Sequence, residues 1–330
     1  MKIVITEDPV TVNRSFDVEF SSCPENAEVK VAVYDPKAED NSAFFNEIKD
    51  ADIIINCYVN FNRELIDKLE KCKVISFEST GYNEVDLDYA REKGIAVISI
   101  LDYCTQETAE NAFTLMLCLQ RATMKYHKLV QEQHIWDASS VAGIKRIEGQ
   151  TIGIVGLGRI GQSVAKKAHG FDMNVIAYDP FLPLEVAEKL GVKMVDLDTL
   201  LAEADVVSIH MNLTPENYHM FNKETFMKMK KKPILINEGR GSMINEDDLV
   251  WALDNGYVRA AGLDMLESEY PDLSECKLMG RDNVILNPHS GFLSDTSNYL
   301  VCTLPVQNAV AYVNGEPLPN GAVRNGVSLG

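Results

Sequence analysis

The chain has no long apolar run. None of its 330 residues fall in a stretch approaching the length of a bilayer span, so no transmembrane helix is expected. Lys2-Ile-Val-Ile-Thr6 is too short for the apolar core of a signal peptide and runs directly into Glu7 and Asp8, so it reads as a first strand and the chain as cytoplasmic. Positive charge is scarce. Thirty-one Lys and Arg stand against 49 Asp and Glu, and the net charge of −18 excludes nucleic acid and anionic membrane surfaces as expected partners. It does not oppose a small anion held by one local arginine. Cysteines are neither paired nor clustered: seven are scattered from Cys23 to Cys302, with no C-x-x-C. They read as reduced thiols, and no zinc or other metal site is expected.

What is present is a glycine-punctuated turn, Thr151-Ile-Gly-Ile-Val-Gly-Leu-Gly-Arg-Ile-Gly161. A short apolar run, Ile152 to Val155, reads as a buried strand; Ile160, Val164, Ala165 and Ala168 then repeat at helical spacing. Gly156, Gly158 and Gly161 thus form a G-x-G-x-x-G fingerprint in the required context, after a strand and opening a helix. The first glycine permits the tight turn, the second lets backbone approach a pyrophosphate, and the third lets helix and strand pack closely. The helix N-terminus offers free N–H groups to the phosphates. A second strand, Asn174 to Asp179, ends in an acid roughly 20 residues beyond the glycines, where a ribose 2′-hydroxyl is bound. A carboxylate there repels a 2′-phosphate, so Asp179 points to NAD rather than NADP.

The length favours two domains. Before residue 100 the pattern alternates strand (Lys2–Thr6, Val29–Tyr34, Asp52–Cys57, Lys73–Phe77, Ala96–Ile100) and helix (near Ser42–Lys49, Arg63–Glu70 and Asp86–Lys93), which predicts a parallel sheet faced by helices. Ligands of such sheets bind beyond the carboxyl ends of strands, where Tyr58-Val-Asn-Phe61 and Ser79-Thr-Gly-Tyr-Asn83 lie. A long helix is expected from about Thr105, as cap, to Leu129; it is apolar over more than one stripe and so either deeply buried or a subunit interface. The less regular His127–Gly149 segment, with Trp136, reads as an arm, either packed on a partner subunit or running over the surface. A homodimer is the expected assembly. From Gln150 seven further strands alternate with helices, and the chain becomes helical again from Ser297 to Val313. That last helix is expected to return to the first domain, leaving a cleft between two lobes. Met227-Lys-Met-Lys-Lys-Lys232 reads as a solvated helix end, where cations suit the dipole.

Three strand ends in the second half carry polar groups suited to chemistry. Ile236-Asn-Glu-Gly-Arg-Gly241 places Arg240 where it can grip a carboxylate in bidentate fashion. Asp264 ends a strand, with Glu267 and Glu269 in the following loop; Leu286-Asn-Pro-His-Ser-Gly291 puts His289 past another. Taken singly, each is as well explained by a surface ion pair or a solvated loop. Together, beyond a dinucleotide crevice, they suit hydride transfer: a ketone becoming an alkoxide needs a proton donor, which a histidine supplies near neutral pH. A neighbouring carboxylate favours the charged imidazolium.

The whole chain resembles the D-isomer-specific 2-hydroxyacid dehydrogenase family. The likeness rests on Thr80–Asp86, Tyr103–Glu110, the Gly156–Gly161 fingerprint, His210-Met-Asn-Leu-Thr-Pro215, Asn237–Gly241, Gly262–Pro271 and Asn287–Gly291, in their order and spacing. It implies two doubly wound parallel-sheet α/β domains: a discontinuous flavodoxin-like substrate domain, residues 1–102 with 295–330, and a Rossmann NAD-binding domain, residues 103–294, including the interdomain helix and arm. It implies Arg240 as substrate-carboxylate clamp, His289 as general acid/base and Glu269 as its paired acid. Cofactor contacts fall to Gly156, Gly158, Arg159, Ile160, Gly161, Asp179, His210, Thr108, Glu238 and Asp264, the last holding the nicotinamide amide. Tyr58, Thr80 and Gly81 become substrate contacts. The implied activity is NAD-dependent interconversion of a small-molecule 2-oxo acid and its D-2-hydroxy acid.

Three positions depart from the family pattern. Glu238 puts an acid where small or uncharged residues are usual, Asn287 and Ser290-Gly291-Phe292 flank the Pro-His pair, and His210-Met-Asn-Leu replaces His-x-Pro-Leu. Cys57–Phe61 holds no Lys or Arg, which argues against a phosphorylated substrate; Tyr58 and Phe61 suit an uncharged group. Small polar (glycerate, lactate) and bulkier apolar acids both stay open. A dinucleotide-sensing corepressor-like binding protein of the same fold is the alternative; substrate turnover separates the two.

Overall fold

The computed structural model describes residues 1–328. Among the described residues twelve strands form two sheets, and every pairing between these strands is parallel. The first sheet contains β1 (Lys2–Glu7), β2 (Glu28–Val33), β3 (Ile53–Asn56), β4 (Val74–Phe77) and β5 (Ala96–Ser99), in the order β2-β1-β3-β4-β5. The second contains β6 (Thr151–Val155), β7 (Asn174–Tyr178), β8 (Lys193–Met194), β9 (Val206–Ile209), β10 (Ile234–Asn237), β11 (Ala260–Leu263) and β12 (Val284–Leu286), in the order β12-β11-β10-β9-β6-β7-β8. The first order is the flavodoxin-like one. The second is doubly wound, with its direction reversing between β6 and β9, the switch point of a Rossmann sheet. Strands β3, β4, β5, β9, β10 and β11 are buried at every residue, because helices cover both faces.

The chain divides into two compact units, Met1–Tyr103 with Ser294–Gly330, and Cys104–Leu293. In the first, helix Asp295–Val313 lays Val306, Ala309 and Tyr312 against Ile3, Ile53 and Ile98. Ser76 Oγ on β4 donates to Pro305 O at 2.9 Å, tying that helix to the sheet. In the second, the apolar helix Thr105–Gln120 buries Ala109, Ala112, Phe113, Leu115 and Met116 in one core with Ile152, Val164, Ile234 and Ala260. Packing inside its own unit therefore explains its composition, and that composition no longer argues for a subunit interface.

Several local expectations differ from the structure. The helix beginning at Thr105 stops at Gln120, and a second runs Thr123–Gln131. Ala122 between them takes φ +51°, and the second helix buries nothing. No glycine or proline marks the break, so the pattern read through it. Cys104, not Thr105, occupies the N-cap and makes no side-chain cap bond. A helix at Asp17–Ser22 was not expected.

The last helix shows how local sequence sets a boundary. Ser294 Oγ accepts from Ser297 N at 2.9 Å, and Ser297 Oγ accepts from Ser294 N at 2.8 Å, closing a reciprocal cap. Ser294→Ala removes one half of it. Thermal unfolding should show a loss of about 1 kcal/mol, and an unchanged melting temperature would contradict the capping role.

Candidate active site

Gly156 follows β6 with φ +94°, a left-handed conformation that favours glycine. A Cβ on Gly161 would collide with Gly156 O, so the third glycine is set by helix–strand contact. Gly158 caps helix Arg159–His169, and a Cβ there would meet nothing within 4 Å. The space over the helix N-terminus is therefore open where a pyrophosphate must sit, beside Arg159 and Ile160 of the first turn. Asp179, one residue past β7, accepts from Leu157 N at 2.9 Å and from Phe181 N at 2.9 Å, so it braces the glycine turn from the neighbouring strand. These residues fit the diphosphate and adenosine ribose of a dinucleotide.

Past the switch point, β9, β10, β11 and β12 end in a second set of residues. His210 follows β9. Its Nε2 lies 2.8 Å from Ser208 Oγ, and burial lowers its pKa to about 3, so the ring stays neutral. Thr108 is buried on its helix, with its hydroxyl directed to Cys104 Sγ at 3.7 Å.

Arg240 is held in place by its loop. Asn237 Nδ2 donates to Arg240 O at 3.0 Å, and Asn237 Oδ1 accepts from Gly239 N at 3.0 Å. Any side chain on Gly241 would run into Leu266 backbone. The Arg240 guanidinium donates to Gly239 O at 2.9 Å and forms no ion pair among the described residues.

His289 has φ +51°, a left-handed conformation stabilised by a clamp around Asp264. Asp264 O accepts from His289 N at 2.6 Å, and its carboxylate accepts from Ser290 N and Gly291 N, each at 2.9 Å. His289 Nδ1 is thereby placed 2.8 Å from Glu269 Oε2. That hydrogen bond is the main cause holding the Glu269 carboxyl below its usual range, and the Arg240 charge adds to it. Arg240, Glu269 and His289 thus occupy one unit and interact.

Glu238, also past β10, is buried. Its Oε1 accepts from Asn111 Nδ2 at 2.9 Å, and Asn111 Oδ1 accepts from Asn287 Nδ2 at 3.1 Å. Burial, then the nearby Asp264 charge, push its carboxyl up to about 9; the Asn111 bond only partly opposes them. Asn111 and Ser208 escaped sequence reasoning. A lone asparagine between Ala109 and Ala112 on an apolar helix was the available signal for the first.

Tyr58, Thr80 and Gly81 belong to the other unit, just past the ends of β3 and β4. That unit holds a further group the sequence did not suggest. Arg14 donates to Glu7 at 2.7 Å and to Glu78 at 2.8 Å, and also pairs with Glu19. All three carboxyls are buried. Burial pushes Glu78 up to about 8; Arg14 opposes this, while Glu19 and Glu7 reinforce it. The folded state holds a proton on Glu78 that the unfolded chain releases above its ordinary 4.5. Stability must therefore fall as pH rises from 4.5 to about 8. In Glu78→Gln the melting temperature, relative to wild type, should rise between those limits; a constant difference would refute this.

Among the described residues no helix is long and apolar enough to cross a membrane, and no three His, Cys, Asp or Glu side chains group as a metal site.

Comparison with known proteins agrees with this geometry. The family model for the NAD binding domain of D-isomer specific 2-hydroxyacid dehydrogenases matches residues 113–291. Glyoxylate reductase of Thermococcus litoralis is 34% identical over 296 residues, covering 87% of this chain and 88% of that protein. D-3-phosphoglycerate dehydrogenase of Methanocaldococcus jannaschii is 37% identical over 298 residues, covering 90% of this chain; the chain spans 55% of that relative's length. The structure of D-lactate dehydrogenase from Aquifex aeolicus complexed with NAD and lactic acid is 29% identical with a TM-score of 0.81, covering 95% of this chain and 96% of that one. The chain belongs to the D-isomer specific 2-hydroxyacid dehydrogenase family, as an oxidoreductase whose cofactor is NAD.

Proposed function

We propose that this protein interconverts a 2-oxo acid and its D-2-hydroxy acid. The observation that carries the reading is a guanidinium without an ion-pair partner, Arg240, whose field reaches a 2.8 Å His289–Glu269 pair at the carboxyl edge of the NAD-binding sheet. Arg240 holds the substrate carboxylate, which fixes C2 and its oxygen in position. Bound NAD supplies or takes up the hydride at C2. His289 gives its proton to the forming alkoxide in reduction and removes it in oxidation. Glu269 orients the ring through Nδ1, leaving Nε2 to face the substrate oxygen. On the five-stranded unit, Tyr58, Thr80 and Gly81 are its candidate substrate contacts.

Names among the relatives span glyoxylate, lactate and 3-phosphoglycerate. Arg14 is already bound to the side chains of three glutamates, and Cys57–Phe61 carries no cation. We therefore expect an uncharged substrate side chain. With NADH, initial rates on glyoxylate, hydroxypyruvate, pyruvate, phenylpyruvate and phosphohydroxypyruvate should be lowest for the phosphorylated acid; a preference for it would reverse this assignment.

In His289→Ala, kcat should fall about a hundred- to ten-thousandfold, with NADH affinity, followed by fluorescence titration, retained. In Glu269→Ala, which removes the acceptor that orients the ring, kcat should also fall with NADH affinity retained. Full activity in His289→Ala would remove the general-acid role. Absence of turnover on any 2-oxo acid, with NADH still bound, would favour a dinucleotide-sensing binding protein.

We also propose a cytoplasmic homodimer formed through the arm. Ile135 and Trp136 are exposed at 40% and 90% in an arm whose Val141 and Ile144 line, with Leu119, Met124 and Ile285, a groove of about 550 Å³. Sedimentation equilibrium should give twice the chain mass for the wild type and less association for Trp136→Glu; a monomeric wild type would dismiss the dimer.

A further inference from the structure

Glu238, a departure from the family pattern, meets Gly291 in space. A Cβ at residue 291 would lie 2.5 Å from Glu238 Oε2, 2.7 Å from Asp264 Oδ2 and 3.0 Å from Asn111 Nδ2. Glycine at 291 is what gives the longer acid at 238 its room. The two carboxyls therefore flank one point, and neither has a cationic partner among the described residues. Their hydrogen bonding differs. Asp264 receives two backbone N–H groups, which support its charge. Glu238 receives one amide donor on Oε1, while Oε2 is enclosed and has no partner. Two adjacent carboxyls do not both ionise easily, and the less solvated one keeps the proton.

This pair stands past β10 and β11. In a Rossmann sheet the dinucleotide crosses the crevice at the switch point. Asp179, past β7, marks the adenosine side and the Gly156–Gly161 turn past β6 marks the pyrophosphate, so the nicotinamide falls toward the ends of β9, β10 and β11. The nicotinamide ring is cationic when oxidised and neutral when reduced. A charge that appears or disappears beneath it must therefore discriminate between the two forms.

We propose that Glu238 is a positioning residue that sets the redox preference of the nicotinamide pocket: while it keeps its proton, Asp264 alone bears charge there, and once it loses the proton the pocket favours oxidised NAD over NADH. The inference rests on NAD binding to this unit. The groups around Glu238 leave it as the titrating one. Asn111 from helix Thr105–Gln120 is an uncharged amide, His210 past β9 stays neutral, and Arg240 turns its guanidinium to Gly239 O, where its field reaches Glu269. Asp264 past β11 is the neighbouring charge that opposes ionisation of Glu238, and burial places its transition at about 9. Linkage then requires that oxidised NAD release a proton on binding near this pH and that NADH do not.

The test is equilibrium binding, without turnover. Dissociation constants for oxidised NAD and NADH are measured by calorimetry on the intact protein from about pH 7 to about pH 10, in buffers of different ionisation enthalpy. The ratio of the NADH to the oxidised-NAD constant should rise about tenfold or more across the range, with proton release seen for oxidised NAD alone. Glu238→Gln should flatten the ratio. Asn111→Ala removes the one donor that supports the carboxylate, and should move the rise to higher pH. Because the wild-type titration stands without any variant, a variant that fails to fold leaves the test intact. Both forms binding with a pH-independent ratio, or Glu238→Gln following the wild-type curve, overturns the inference while NAD binding stands. Binding of neither form at any pH overturns both.

Discussion

In the seven-stranded sheet every ladder is parallel, so all seven strands deliver their carboxyl ends to one edge. Adjacent strands stand about 4.8 Å apart, and the residues following β9, β10, β11 and β12 emerge side by side. Residues separated by long stretches of chain, such as Glu238, Asp264 and Gly291, become neighbours for that reason, and helix Thr105–Gln120 packed in the same core adds Asn111. The same constraint directs Gly156 and Asp179 to the edge, where Leu157 N donates to the Asp179 carboxylate. Helices on both faces remove water from the strands, and the polar groups described above gather at this rim.

Asp264 connects the binding and proton-transfer parts of that rim. Its main-chain oxygen and both carboxylate oxygens accept three successive backbone N–H groups, from His289, Ser290 and Gly291. Three bonds to consecutive residues hold a strained turn, and the strain appears as the positive φ of His289. The side chain of His289 is then carried to Glu269. Asp264 thus also determines where the His289 side chain stands. The other unit handles buried charge differently. There a single guanidinium satisfies Glu7, Glu19 and Glu78 together, and Glu19 Oε2 and Glu78 Oε1 remain enclosed without partners. Among the described residues Glu238 forms no ion pair, and burial favours its protonated form instead.

The parts legible in the sequence were those governed by local rules. Short apolar runs marked the strands, and most cleanly β3, β4, β5, β9, β10 and β11, because a strand buried at every residue has few polar positions to confuse its boundaries. The fingerprint glycines were legible because turn geometry and close approach allow no other residue at Gly156 and Gly161. Less was legible where tertiary packing overrides propensity. The break at Ala122 carries no breaker residue; the chain changes course there because one helix is packed under the sheet and the next is not. Helix Asp17–Ser22 was missed because a six-residue element around the buried Glu19 depends on Arg14 rather than on its own periodicity.

By itself the sequence determined the alternation of strand and helix and the NAD fingerprint, because each follows from chain-local spacing and residue chemistry, and it singled out Arg240, Glu269 and His289 as candidates at strand ends. Only the tertiary structure decided that Glu238 shares its surroundings with Asn111, Asp264 and Gly291, and that Arg14 is consumed by three glutamates. Whether a carboxyl carries a charge depends on burial and on neighbours brought from distant parts of the chain, and neither is a property of the local sequence.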